Sequence, residues 1–327
     1  MKNKWYRAGV FVFFFLILVL TACHAQRRVE QISGGKKRVA LVAKSAESAF
    51  WKTVRAGANA ASTEYNMDLI FEAPLSEEDY AAQNQMIRSV VEEGVDAIVF
   101  SAVDFEANAE AVDEAAEEGV KIVSIDSEVN SSAVECYIGT DNYEAGCLAG
   151  EAVLECQAPV LNIGIVNYDK NSENGQTREA GFRDTVAKDS RAVIVDAINV
   201  NSTTEEAKEG ALAMLERNPQ INVIATFNEW TSLGVGYAIQ ERNLGDRTHV
   251  VAFDCNVVSV GMLETGEVDA LIVQNPYAMG YLGVENAYSL INGQSVEQEE
   301  IDTSLMIVTK ENMYDDESQR LLFSFDK

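Results

Sequence analysis

Two histidines and four prolines in 327 residues set the first limits. His24 stands beside a cysteine near the N-terminus and His249 opens a strand-like run, so neither readily anchors a catalytic triad or a metal cluster. A GxSxG nucleophile elbow is missing, which argues against a secreted hydrolase. No complete GxGxxG or GxxxxGKS/T loop follows a strand. The "GVG" at Gly234 to Gly236 lacks a third glycine and sits in a helical stretch, and "ISGGKK" precedes the first strand. The sequence therefore predicts no enzyme, no cofactor and no metal site. Positive charge is also scarce: 25 Lys and Arg face 52 Asp and Glu, a net charge of −27. So acidic a chain repels nucleic acid and anionic membrane surfaces at long range, which leaves a neutral or cationic small ligand. Surface acidity serves solubility first, and a local pocket can carry either sign.

Five cysteines are present, none in a CxxC pair, which argues against zinc and thioredoxin-like chemistry. Cys147 and Cys156 share one predicted helix, about 13 Å apart along its axis, too far to bridge. Buried free thiols are expected at Cys136, Cys147, Cys156 and Cys255, with their redox state left open.

Long hydrophobic runs are missing too, except for one. Ala8 to Leu20 is almost wholly apolar and follows Lys2, Lys4 and Arg7. At about 13 residues it is short for a ~30 Å hydrocarbon layer and suits a signal-peptide core. It ends in Leu20-Thr21-Ala22-Cys23, which resembles the lipobox of bacterial lipoproteins. That resemblance implies a signal peptide over residues 1–22, a lipid on Cys23 and a polar linker over residues 23–36. The mature chain would be extracytoplasmic, anchored to the cell membrane, with a net charge of −30. An uncleaved anchor helix is the alternative; both leave the body outside the cytoplasm.

Eleven short runs rich in Val and Ile follow, among them "RVALVA", "KIVSID", "NVIATF" and "ALIVQN", with amphipathic stretches between them. Continuous β-branched runs suit strands buried on both faces, and the alternation predicts parallel sheets with crossover helices. Gly94, Gly119 and Gly245 are placed to close helices. Eleven strands in some 290 residues suit two domains, with a break near Thr140-Asp141-Asn142 and no Pro/Gly linker to mark it.

Ligands in parallel sheets bind beyond the carboxyl ends of the strands. Those ends carry "KSAESAFWK", Ser101, "SIDSE", "NYDKNSENGQTREAGF", "NEW", Asp254 and Gln274. In order, "FW", "SID", "IGTDN", "TREAGF", "TFNE", "VVAFD" and "LIVQ" closely resemble the periplasmic binding proteins for monosaccharides, the ribose-binding group, over about residues 37–310. The resemblance implies an α/β fold of periplasmic-binding-protein type I: two Rossmann-like lobes with parallel sheets, hinged by three crossings. Residues 37–140 and 275–302 would form the N-terminal lobe, and 141–274 and 303–327 the C-terminal lobe.

The same resemblance implies that Phe50 and Trp51 stack on a sugar ring and that Asp126 accepts from its hydroxyls. Asn228, Asp254 and Gln274 would serve from the second lobe and hinge. The physics suits these types, because aromatics cover C–H faces and Asp, Asn and Gln satisfy a hydroxyl rim. The departures are Ser48, Ser101 and Ser127, where the family often has Asn, Asn and Arg, and Gln176, near which an arginine is expected, with Arg178 close by. Two positive forks are thus expected to be missing and the pocket roomier, with Trp230 refilling some space. A hexose, a glycoside or another neutral polyol-like ligand is expected in place of ribose.

The functional expectation is a lipid-anchored, monomeric receptor for a sugar or sugar-like solute that feeds the permease of an ABC-type importer. The alternative keeps the fold and presents the solute to a membrane sensor kinase or chemoreceptor.

Overall fold

The computed structural model describes residues 35–323. Cys23, the expected signal peptide and most of the expected linker lie outside the described residues.

Among the described residues the chain forms twelve strands and ten helices. Strands β1 (Arg38–Val42), β2 (Asp68–Glu72), β3 (Ala97–Phe100), β4 (Lys121–Ile125) and β5 (Val134–Gly139) join β11 (Glu300–Asp302) in one sheet, ordered β11-β5-β4-β3-β1-β2. Strands β6 (Leu161–Asn167), β7 (Ala192–Asn199), β8 (Val223–Thr226), β9 (His249–Phe253) and β10 (Ala270–Val273) join β12 (Met306–Thr309) in the other, ordered β12-β10-β9-β8-β6-β7. The two orders are the same pattern repeated. Every pair is parallel except β10 with β12. The chain passes between the sheets three times, after β5, β10 and β11.

The helices are α1 (Ala49–Glu64), α2 (Tyr80–Glu92), α3 (Ala109–Glu117), α4 (Asn142–Leu154), α5 (Glu173–Val186), α6 (Thr204–Arg217), α7 (Glu229–Arg242), α8 (Val257–Thr265), α9 (Pro276–Ile291) and α10 (Asp316–Leu322). They cover both faces of each sheet. In β1, Val39 and Leu41 enter one apolar layer while Ala40 and Val42 enter the opposite one. This period of two, with both faces apolar, is what a helix-covered parallel strand requires.

Departures from the sequence reading have local causes. Strand β11 has no signature in the sequence, because its one apolar residue, Ile301, carries no pattern. Strands β2 and β7 are sheet edges, so they are only half-buried despite their apolar runs. Gly94 and Gly119 take left-handed backbone at φ 79° and 89°, as helix-closing glycines do. Gly245 does not close α7; Asn243, at φ 52°, ends it two residues earlier.

Glycines also set helix contacts. A Cβ on Gly146 of α4 would strike the carbonyl of Arg178 on α5, and one on Gly181 would strike that of Tyr143 on α4. Gly57 and Gly280 clamp α1 to α9 in the same reciprocal way. Backbone thus meets backbone in one helix pair on each sheet.

Candidate ligand-binding site

The residues that follow strand ends in both sheets converge on one cavity of about 340 Å³ of space free of atoms. Lys44 follows β1, Glu77 follows β2 and Asp126 follows β4; Tyr168, Asn228, Asp254 and Gln274 follow β6, β8, β9 and β10.

Asp126 and Asp254 hold matching positions in the two sheets. Both take left-handed backbone, at φ 60° and 64°. Each donates its amide to a carbonyl on the adjacent strand: Asp126 to Ile138 at 3.1 Å, Asp254 to Ile272 at 2.9 Å. Outside glycine such a conformation is uncommon, and Asp is among the residues that adopt it most readily. Neither aspartate caps a helix. Asn256 caps α8 instead, accepting from Val258 and Ser259 at 2.9 Å.

Arg178 is the largest fully buried side chain, on α5. Its Nε donates to Asn142 at 2.9 Å, one terminal nitrogen to the Phe227 carbonyl at 2.9 Å and the other to Gln274 at 2.8 Å. The guanidinium lies 5.0 Å from the Phe253 ring centroid and 3.9 Å from Asp126. Burial works against its charge, but Tyr168, Asp254 and Asp126 around it raise its pKa. Lys44 lies 3.8 Å from Asp126 on the other carboxylate oxygen, and burial lowers its pKa. Two cations therefore face Asp126. This corrects half of the expectation that two positive forks are missing: Arg178 supplies one from α5.

Gln274 ties the cavity floor together. It accepts from Thr140 and Arg178 at 2.8 Å and donates to Asp254 at 2.6 Å. Asp254 is buried and pushed up to about 7 by that burial, with Arg178 and Gln274 pulling the other way.

Several contacts cross between the lobes. Lys44 Nζ donates to Ser172 at 2.9 Å, and Asn174 donates to Asp126 at 3.2 Å. The carboxylate of Glu229, at the start of α7, accepts from the amides of Ala49 and Phe50 at 3.2 Å each, and from Asn256 at 2.8 Å. It thereby caps the first turn of α1 from the opposite lobe, where free N–H groups and the helix dipole favour an anion. Trp230 donates its indole N–H to Glu77 at 3.1 Å, and Trp51 reaches the same oxygen at 3.2 Å. Burial pushes Glu77 up to about 7. The cleft is thus closed.

Of the expected residues, Phe50, Trp51, Asp126, Arg178, Asn228, Trp230, Asp254 and Gln274 line the cavity. Asn228 spends its oxygen on capping α7, accepting from Thr231 at 2.9 Å, and its amide nitrogen lies 3.3 Å from Ser202. Three expected residues do not line it. Ser101 stands behind Asp126 and donates to it at 3.1 Å. Ser127 is buried with its hydroxyl unpartnered. Gln176 faces outward on α5, two residues from Arg178, because a helix turns about 200° in two residues. Lys44, Glu77, Tyr168, Asn174 and Glu229 line the cavity without having been singled out. All but Glu77 lie in the strand-end stretches of the sequence; Glu77 follows β2 at the same sheet edge, and that position is the signal for it.

Two α/β lobes closing on a polar, aromatic-lined cavity define a two-lobed solute-binding protein. The sequence matches the profile described as periplasmic binding protein domain over residues 39–295, and the chain belongs to that family. It is 27% identical over 307 residues to the D-ribose/D-allose-binding protein of Pseudomonas aeruginosa, covering 89% of this chain and 96% of that one. A carbohydrate transporter solute binding protein from Agrobacterium radiobacter, in complex with D-arabinose, superposes with a TM-score of 0.85 at 28% identity, covering 89% and 100% of the two chains. An ABC transporter solute binding protein from Agrobacterium vitis with bound D-fucose gives 0.83 at 29%, covering 87% and 99%. These relatives are binding proteins, not enzymes.

Proposed function

We propose that this protein is an extracytoplasmic receptor that binds a sugar or sugar-like solute between its lobes and delivers it to an ABC-type importer. The observation that carries this reading is the closed cavity itself: aromatics from both lobes beside buried Asp126, Asp254, Arg178 and Gln274. A sugar offers C–H faces to the former and a hydroxyl rim to the latter. The relatives named above, among them structures holding D-arabinose and D-fucose, support the same class of ligand. The lobes are taken as residues 37–140 with 275–302, and 141–274 with 303–327; the membership of the two sheets supports that division.

The test is a thermal-shift screen of the detergent-solubilised protein against sugars and polyols. A ligand at 100 times its Kd stabilises by about 2.7 kcal/mol. A library in which no member raises the melting temperature refutes the reading.

The proposal includes a lipid on Cys23, supported by the "LTAC" stretch after an apolar run. Mass spectrometry of the native protein should find an acylated Cys23 as the new N-terminus. An intact Met1 with unmodified Cys23 overturns it.

A further inference from the structure

Six charged groups border the cavity: Lys44, Arg178, Glu77, Asp126, Glu229 and Asp254. Their partners are unequal. Asp126 faces both cations, at 3.8 and 3.9 Å. Glu229 is satisfied by the first turn of α1 and by Asn256. Glu77 and Asp254 have no direct ion pair; Lys44 acts on Glu77, and Arg178 on Asp254, only at longer range. Among the described residues, no Lys or Arg nitrogen lies within 4.0 Å of either carboxylate.

Both also keep an open oxygen. Asp254 is 6% exposed, receives Gln274 on one oxygen, and accepts no hydrogen bond on the other. Glu77 takes both indoles on one oxygen and accepts none on its second. The need for a donor is strongest at buried Asp254 and weaker at half-buried Glu77, and a cation is the strongest donor.

We infer that the cleft selects a sugar carrying a protonated amine, with Asp254 or Glu77 as its anionic partner; this rests on the sugar-receptor reading above. Lys44 and Arg178 are engaged on the Asp126 side, by Ser172 and by Asn142, Phe227 and Gln274. Burial pushes Glu77 and Asp254 up to about 7, and a bound ammonium relieves that cost at the carboxylate it meets by favouring the charged form. A net charge of −27 draws a cationic solute toward the protein at long range.

The experiment is calorimetry at pH 7 with glucosamine, galactosamine and mannosamine, each against its parent hexose and its N-acetyl form. The wild type should bind at least one amino sugar roughly tenfold or more tighter than its parent, a ratio set by the charge-assisted bonds. Glu77→Gln keeps an acceptor for both indoles and replaces the open oxygen with a donor; Asp254→Asn removes the other charge. In the variant that removes the partner, the ratio of amino sugar to parent should collapse toward one. Preference for a parent hexose, or a ratio unchanged in both variants, overturns the inference and leaves the sugar-receptor reading standing. Failure of every sugar, charged or neutral, in this panel and in the wider screen sinks both.

Discussion

Removing the Glu229 carboxylate should open the cleft. That group accepts two backbone amides from the opposite lobe at 3.2 Å and holds Asn256 at 2.8 Å within its own. A hydrogen bond to a charged group contributes about 1.5–3 kcal/mol, and an anion at a helix N-terminus about 0.3–1 kcal/mol more. Water recovers part of this when the lobes part, and 3.2 Å is long, so the lower ends apply. Glu229→Ala should therefore cost the closed form about 2–3 kcal/mol, or roughly 30- to 150-fold in ligand affinity. Glu229→Gln keeps an acceptor oxygen and should lose only about 1 kcal/mol. Affinity alone is ambiguous, because Glu229 also lines the cavity. The deciding measurement is small-angle scattering of the ligand-free proteins: Glu229→Ala should show a larger radius of gyration than wild type. A ligand-free radius equal to wild type, or an affinity within twofold of it, refutes the latch.

Asp126→Ala should weaken ligand binding by roughly 2 kcal/mol or more and also lower the melting temperature, because it strands Lys44 and Arg178 in the interior; unchanged melting would show that the cations relax at no cost. Gln274→Ala should lower affinity and loosen closure together, since one side chain joins Thr140, Arg178 and Asp254; a scattering change on ligand saturation equal to wild type would count against it. Stability should also depend on pH. Glu77 and Asp254 are raised to about 7 in the folded chain from 4.5 and 3.8, so the native state holds more protons than the unfolded one between those values. Their contribution is fully present below about pH 4 and is lost as pH rises through about 7. Melting curves from pH 5 to 8 should fall more steeply for wild type than for the Glu77→Gln, Asp254→Asn double variant, and parallel curves would disprove the shifts.

The strands were legible because parallel strands covered on both faces leave unbroken apolar runs, and the carboxyl ends of those runs led directly to Asp126, Asp254 and Gln274. What sequence could not supply was direction around a helix axis and across the cleft. Gln176 and Arg178 are near neighbours in the chain, yet one meets water and the other is the largest buried side chain. Ser101 and Ser127 follow the right strands, but their short side chains end behind or beside Asp126. Glu229 stands at a strand end in the sequence, and nothing in "NEW" announces that its carboxylate serves a helix some 180 residues earlier. Lys44 was hidden for a similar reason: its partners, Ser172 and Asn174, come from the other lobe.

The reciprocal glycine contacts decide where the molecule can bend. Each of the first two crossings runs straight into a helix, α4 or α9, whose backbone is locked against α5 or α1. Helices pressed backbone to backbone have no side-chain cushion to slide on, so each lobe is a stiff lever, and rotation falls on the few residues before the helix begins. Thr140 and Gln274 are those residues, and they are bonded to each other. On the proposed reading the fulcrum would also be part of the binding surface, and a solute that gripped Gln274 would set the angle at which the levers come to rest.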